Sequence, residues 1–414
     1  MPDQQPPSAP RSGGRSSRDA GAAADPANPT RQQLREQGKA RKDGGSRTWW
    51  YVLSAAAVMV VGVGVAVLLT QGNKATPASI RATPVTAAPA PAPPCPLTGA
   101  PAPGGSVPAR PALGIKIGNY SGDRPSAGLN QADIVFEEPV EGGITRLVSV
   151  FQCQGAPLVG DLRSARQPDA GILSQLSNPL FVHAGGISPV INLLSESPLI
   201  DKNLYQGGNG SAIIQQPGRE SPYSTFVNTA SLWALDPSDT TAPAPIFQYS
   251  GVLPTGSVPG SGAGVHIPFS GSSDVTWQWS PTAGKYLRLY SGVPDKLLDG
   301  SQTAATNVVI LTVQTSYGSW VENSGGGHEV VVTATGTGPV VVMRNGVAVT
   351  GTWSRSALTQ PATLTAADGA PITLQPGNTW EELVPAAITV TPTAGPTPAP
   401  TASPAGSSSA ARAG

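Results

Sequence analysis

Residues Asp133–Phe151 read DIVFEEPVEGGITRLVSVF. Two β-branched apolar runs, Asp133–Glu137 and Thr145–Phe151, have the length of strands, and Glu141-Gly142-Gly143 supplies a sharp turn between them. Moving outward, Ala112–Gly118 (ALGIKIG) and Leu180–His183 (LFVH) are runs of the same kind. Gln167–Leu176 and Val190–Leu194 carry helical spacing instead. Residues 111–250 therefore read as a mixed α/β domain.

Beyond it the pattern changes. Val265–Phe269, Val275–Trp279, Tyr286–Tyr290, Val308–Val313, Val330–Thr335 and Val340–Met343 are short β-branched runs at close spacing. Asn345-Gly346 and Asp368-Gly369 separate further runs, and both dipeptides tolerate the positive φ of two-residue hairpins. Residues 262–390 read as an all-β antiparallel domain, a small sandwich or barrel. The fold class expected is α+β, two domains in sequence.

The flanks are different in kind. Gly and Pro supply 49 and 44 residues of the 414, and 34 of those 93 fall in the three stretches 1–48, 71–110 and 391–414. These three stretches read as a disordered cytoplasmic tail, a Pro/Ala-rich linker and a disordered Pro/Thr/Ser-rich tail. Between the first two, Trp49–Thr70 (WWYVLSAAAVMVVGVGVAVLLT) is uncharged. As a helix it spans about 33 Å, matching a hydrocarbon core of about 30 Å. Arg31, Arg35, Lys39, Arg41, Lys42 and Arg47 precede it, and only Lys74 and Arg81 follow closely. The reading is a single-pass signal-anchor in the lipid bilayer, with the N-terminus cytoplasmic and the later domains extracytoplasmic. A cleaved signal peptide is the competing reading, but the apolar run is longer than the usual h-region.

Nine of the 25 Lys and Arg and five of the 25 Asp and Glu fall in the first 48 residues. The remainder is mildly acidic, which argues against nucleic acid as a partner. The two cysteines, Cys95 and Cys153, both lie on the exported side. An oxidising compartment makes a disulfide the default, with free or intermolecular thiols the alternative.

Charge is concentrated in one place. Asp133, Glu137, Glu138, Glu141, Arg146, Asp161, Arg163 and Arg166 fall within 133–166 of a chain that is 12% charged. Paired arginines suit bidentate recognition of carboxylate or phosphate. Three roles stay open: an internal Glu–Arg network, a ligand site, or catalysis. The ligand site would comprise Glu138, Glu141, Arg146, Asp161, Arg163, Arg166 and His183, the histidine having a hydrogen-bonded structural role as its alternative. Within that set Arg163 is expected to brace the fold and Arg166 to lie nearer the surface. Glu138, Glu141 and Asp161 could supply the paired carboxylates of glycoside hydrolysis. His266 and His328 lack metal-ligand spacing, and no nucleophile elbow, HExxH or P-loop occurs. No metal or cofactor is implied. Trp277, Trp279, Trp353 and Trp380 read as core, with a carbohydrate face as the alternative.

Longer blocks carry a resemblance. CPLTGAPAP, RPALGIKIGN, RPSAGLNQADIVFEEPVEGGITRLVSVFQ, GDLRSARQPD and FVHAGGISP resemble the exported YerB-like lipoprotein family. KYLRLYSGVP, NVVILTV, RNGVAVTGTWSRS and LQPGNTWEELVP extend the similarity from about Cys95 to Pro385. The resemblance implies a two-part extracytoplasmic domain of unknown biochemical function, with no catalytic residues to carry over. The chain departs from the lipoprotein members in having a membrane helix in place of a lipid. Topology, spacer and motif content together give a binding or accessory module at the cell envelope, acting on peptidoglycan or wall-assembly proteins. A wall hydrolase using acids of the first domain is the alternative.

Overall fold

Both faces of the 133–151 strand pair are buried, which is why its apolar runs do not alternate with polar ones. A computed structural model describes residues 91–255, 257–323 and 325–395. The expected cytoplasmic tail (1–48), the expected membrane helix (49–70), the expected linker as far as residue 90 and the expected tail from residue 396 lie outside the described residues. Among the described residues no helix is long and apolar enough to cross a membrane.

The first half supplies β1 (Leu113–Gly118), β2 (Ile134–Pro139), β3 (Thr145–Phe151), β4 (Leu180–His183) and β5 (Ile200–Asn203). β1 and β2 each pair antiparallel with β3, while β4 runs parallel to β1 and β5 parallel to β4. Helix α1 (Gln167–Leu173) opens on Pro168, and the Arg166 N–H donates to Asp169 Oδ2 at 2.6 Å, closing its first turn. Helix α2 (Ser188–Ser195) turns Val190 and Leu194, four apart, into the core.

The second half supplies β6 (Gly264–Ser270), β7 (Ser273–Ser280), β8 (Lys285–Tyr290), β9 (Asn307–Val313), β10 (Thr315–Val321), β11 (His328–Val332), β12 (Gly336–Arg344), β13 (Val347–Arg355), β14 (Thr363–Ala366) and β15 (Thr379–Pro385). Asn345 and Gly346, at φ 50° and 72°, make the β12–β13 hairpin that the sequence announces. These strands do not form a separate sandwich or barrel. β9 and β12–β15 extend the sheet of the first half, giving ten strands in the order β14-β13-β12-β9-β15-β2-β3-β1-β4-β5. The joint is β15, which is parallel to β9 on one side and to β2 on the other. The expectation of a purely antiparallel second domain is therefore corrected. The two-part arrangement along the sequence holds, but the α+β description holds only in part: strands dominate the described residues and the helices are short.

Side-chain alternation sorts the core into two layers. Leu113, Ile115, Ile117, Val135 and Leu147 share one cluster with Val265, Ile267, Val275 and Trp277 of the second sheet, β6–β8. Ile134, Phe136, Val148 and Val150 share the other with Ile172, Leu173, Val190 and Leu194 of the helices. Trp277 and Trp380 meet edge-on with ring centroids 5.1 Å apart. Both are buried, as is Trp353, so these three are core residues; Trp279 is partly buried and packs on the same core.

Cys95 and Cys153 are joined in a disulfide with Cα atoms 6.0 Å apart. The bond pins the start of the described chain to the end of β3. Leu97 and Ala102 are buried beyond it, so packed structure begins well before Pro111, where the linker was expected to end.

Candidate functional site

β1, β2, β4 and β5 run in one direction, so their C-terminal ends meet at one edge of the sheet, where β3 begins. In open sheets with parallel strands that edge is where ligands bind. All seven residues of the expected ligand site come to it, but in four separate groups.

Glu141 belongs to the largest group. Arg166 donates to it through Nε at 2.8 Å and through Nη2, a bidentate pair. Arg146 Nη2 stands 3.7 Å from the same carboxylate, and its Nη1 donates to the Ser164 carbonyl at 2.8 Å. From the second half Glu322, at the end of β10, places Oε2 3.3 Å from Arg166 Nε. Burial would raise Glu141, but the Arg166 hydrogen bond and the two guanidinium charges outweigh it and hold the carboxyl down at about 2. Burial and the nearby Arg166 bring Arg146 down to about 10. Arg146 and Arg166 are both 6% exposed, so the expectation that Arg166 lies nearer the surface is overturned.

Glu138 points to the helix layer instead. It contacts Lys116 Nζ, which donates to Asp169 Oδ1 at 2.7 Å, and all three side chains are fully buried. Burial, and then the Asp169 charge, push Glu138 up to about 8. Asp161 forms a third group with Asp123. It is fully buried with neither oxygen hydrogen-bonded, and burial plus the Asp123 charge push it up to about 8. Arg163 lies over this pair with Nε 3.5 Å from Asp123 Oδ1, donates to the Pro222 carbonyl at 3.3 Å, and keeps 21% of its side chain in solvent. It is the accessible arginine of the two. His183 is buried with Nδ1 2.7 Å from the Gly185 carbonyl and Nε2 2.7 Å from Asp201 Oδ1. Both ring nitrogens are engaged, which fits its structural alternative.

Four participants escaped the sequence reading: Lys116, Asp123, Asp169 and Glu322. Lys116 had a signal, since it is the one charge in ALGIKIG. Asp169 follows Arg166 by three residues, in the first turn of α1, whereas Asp123 and Glu322 reach the site from turns elsewhere in the chain and had no signal. Glu137, part of the local excess of charge, stands apart from these groups: it lies on the opposite face of β2 from Glu138, where Arg288 donates to it at 3.0 and 2.8 Å. Trp380 Nε1 donates to the same carboxylate at 3.2 Å, and Arg288 Nη1 to Asp295 at 2.6 Å.

Two open hollows among the described residues lie elsewhere. One of about 530 Å3 is lined by Pro254, Val258, Ala348, Thr350, Ala366 and Pro371. Another of about 540 Å3 lies beside Arg110 and Trp233.

Comparison with known proteins agrees with this two-part layout. Residues 97–241 match the model for the N-terminal domain of a protein of unknown function, DUF3048, and residues 265–380 match its C-terminal domain. Over 125 residues the chain is 34% identical to YerB of Bacillus subtilis (strain 168), whose name assigns it provisionally to the lipoproteins. That alignment spans 30% of this chain and 36% of the relative, about a third of its length. The crystal structure of the YerB protein from Bacillus subtilis superimposes with a TM-score of 0.61 at 21% identity, covering 72% of this chain and 99% of that one. At that identity the likeness is one of fold.

Proposed function

The chain belongs to the DUF3048 family, and from that premise we propose that it is a membrane-anchored extracytoplasmic module that binds at the cell envelope, to wall material or to wall-assembly proteins. The lipoprotein name of its relative supports a place at a membrane. The 49–70 segment is this chain's own means of attachment, and the Cys95–Cys153 bond suits an oxidising compartment.

The observation that carries binding over hydrolysis is the state of the acids. Glu138 and Glu141 are each committed to a cation, and Asp161 is sealed beneath Arg163. Glycoside hydrolysis needs two carboxyl groups facing one sugar ring with room for water. Three buried acids in three separate groups do not offer that. Of Arg146, Arg163 and Arg166, it is Arg163 whose side chain keeps solvent contact, at 21% exposure, for an anionic partner.

The test is cross-linking of the full chain in intact envelopes. Recovery of wall-assembly proteins or wall fragments, reduced by Arg163→Ala, is the expected result. Capture of cytoplasmic neighbours alone would overturn the proposal. Sustained turnover of purified wall, lost on Glu141→Gln or Asp161→Asn, would replace binding by hydrolysis.

A further inference from the structure

Lys116 occupies a setting that an ammonium group rarely occupies. It shares a row of the sheet with Val148 and Phe136, and it is fully buried, as are Glu138 and Asp169. Its Nζ touches Glu138 Oε1 and lies 2.7 Å from Asp169 Oδ1. One cation faces two carboxyl groups here, so with both ionised the site would hold an uncompensated buried charge. The two acids are not equivalent. Asp169 Oδ2 accepts the Arg166 N–H at 2.6 Å, whereas Glu138 Oε2 has no hydrogen-bond partner.

We propose that Lys116 and Glu138 condense in the folded protein to an intramolecular isopeptide bond, with Asp169 carrying the proton. The starting set is an ammonium on Lys116, a carboxylate on Asp169 and a carboxylic acid on Glu138. A proton passes from Nζ to Asp169 Oδ1, and the free amine adds to Glu138 Cδ. The tetrahedral adduct loses a proton from nitrogen and gains one on its hydroxyl through Asp169. The C–OH bond then breaks and water leaves. The products are an amide between Nζ and Cδ, one water and a protonated Asp169. Atoms and charge balance, no oxidant or cofactor is required, and the site ends without a buried charge.

Three features of the site favour the bond over its hydrolysis. Holding amine and acid in contact is worth an effective concentration on the order of 10⁵–10⁸ M in well-oriented intramolecular reactions. Full burial keeps water out. Glu138, held up at about 8 by burial and by Asp169, keeps the proton that makes its carbonyl carbon open to attack. The link would run from β1 to β2 across β3, joining strands that share no hydrogen bond.

Mass spectrometry of the purified full chain decides this. Arg110 and Arg124 both precede proline, so trypsin should release 82–116 and 117–146 from an unlinked, reduced chain. The expected result is one peptide, 82–146, uncut after Lys116, lighter by one water, with fragment ions joining Lys116 to Glu138. Asp169→Ala and Lys116→Arg should restore the full mass. Wild-type protein at full mass and cleaved after Lys116 would overturn the proposal, whether or not the variants fold. So would a water loss mapped to another segment, and a link from Lys116 to Asp169 would overturn the assignment of roles.

Discussion

Arg288 donates to both carboxylate oxygens of Glu137, and neither side chain is exposed. The two residues are 151 positions apart, one in each half of the chain. Removing one partner of a buried pair leaves the other charged and unpaired, at a cost of about 3–5 kcal/mol. Arg288→Met should therefore lower the urea midpoint sharply in a single transition that takes both halves together. An unfolding curve superimposable on wild type would show that the pair contributes no net stability.

The same logic separates the two arginines of the strand-end cluster. Arg166 is buried in a bidentate pair with Glu141, and Arg166→Ala should cost about 3–5 kcal/mol. Arg163 keeps part of its side chain in water, and Arg163→Ala should cost about 1 kcal/mol or less. Thermal melts of the two variants measured side by side check this. Equal losses would mean that the Glu141 pair is no stronger than a surface contact.

Stability should depend on pH in two opposite senses. Burial raises Asp161 to about 8, with Asp123 adding to it, and Glu381 to about 7 against the pull of Arg355. Burial also raises Asp133 to about 6 against hydrogen bonds from the Gln152 and Cys153 N–H groups. The folded state holds these protons where the unfolded chain, with acids near about 4, has lost them. Stability therefore falls as pH rises from about 4 toward 8. Glu141 acts the other way: its depressed value of about 2 gives stability above the ordinary glutamate range that is lost as pH falls toward 2. Melting temperatures should peak near pH 5. A curve that climbs from pH 5 to pH 8 would contradict the burial of these acids.

The disulfide closes a loop of 58 residues, for which chain entropy gives a stabilisation of about 4 kcal/mol. Alkylation of unreduced envelopes should leave Cys95 and Cys153 unmodified, and reduction should lower the melting temperature. Two alkylated thiols before reduction would refute the bond.

Much of the fold could be read locally. β3 and β4 have the bounds that TRLVSVF and LFVH suggest, and the Asn345-Gly346 turn lies where its dipeptide permits positive φ. β15 could not be read that way. TWEELVP carries two adjacent glutamates, yet both are buried, Glu381 on one face and Glu382 on the other, where Trp277 donates to it at 2.7 Å. Acids in a strand are recognisable as core only once their partners, from residues far along the chain, are known. The site repeats that lesson: its arginines and glutamates were visible as a local excess of charge, but their division into four groups is a property of the sheet.

β15 is fifth in a sheet of ten, yet it is the last long strand among the described residues to be synthesised. Until residues 379–385 emerge, β2 and β9 each present a bare backbone edge, and the nascent protein resembles two half-sheets awaiting a keystone. Unpaired edges invite pairing with other chains. The sheet of ten therefore cannot close until that segment is made, and a chain ending before residue 379 would leave both edges bare.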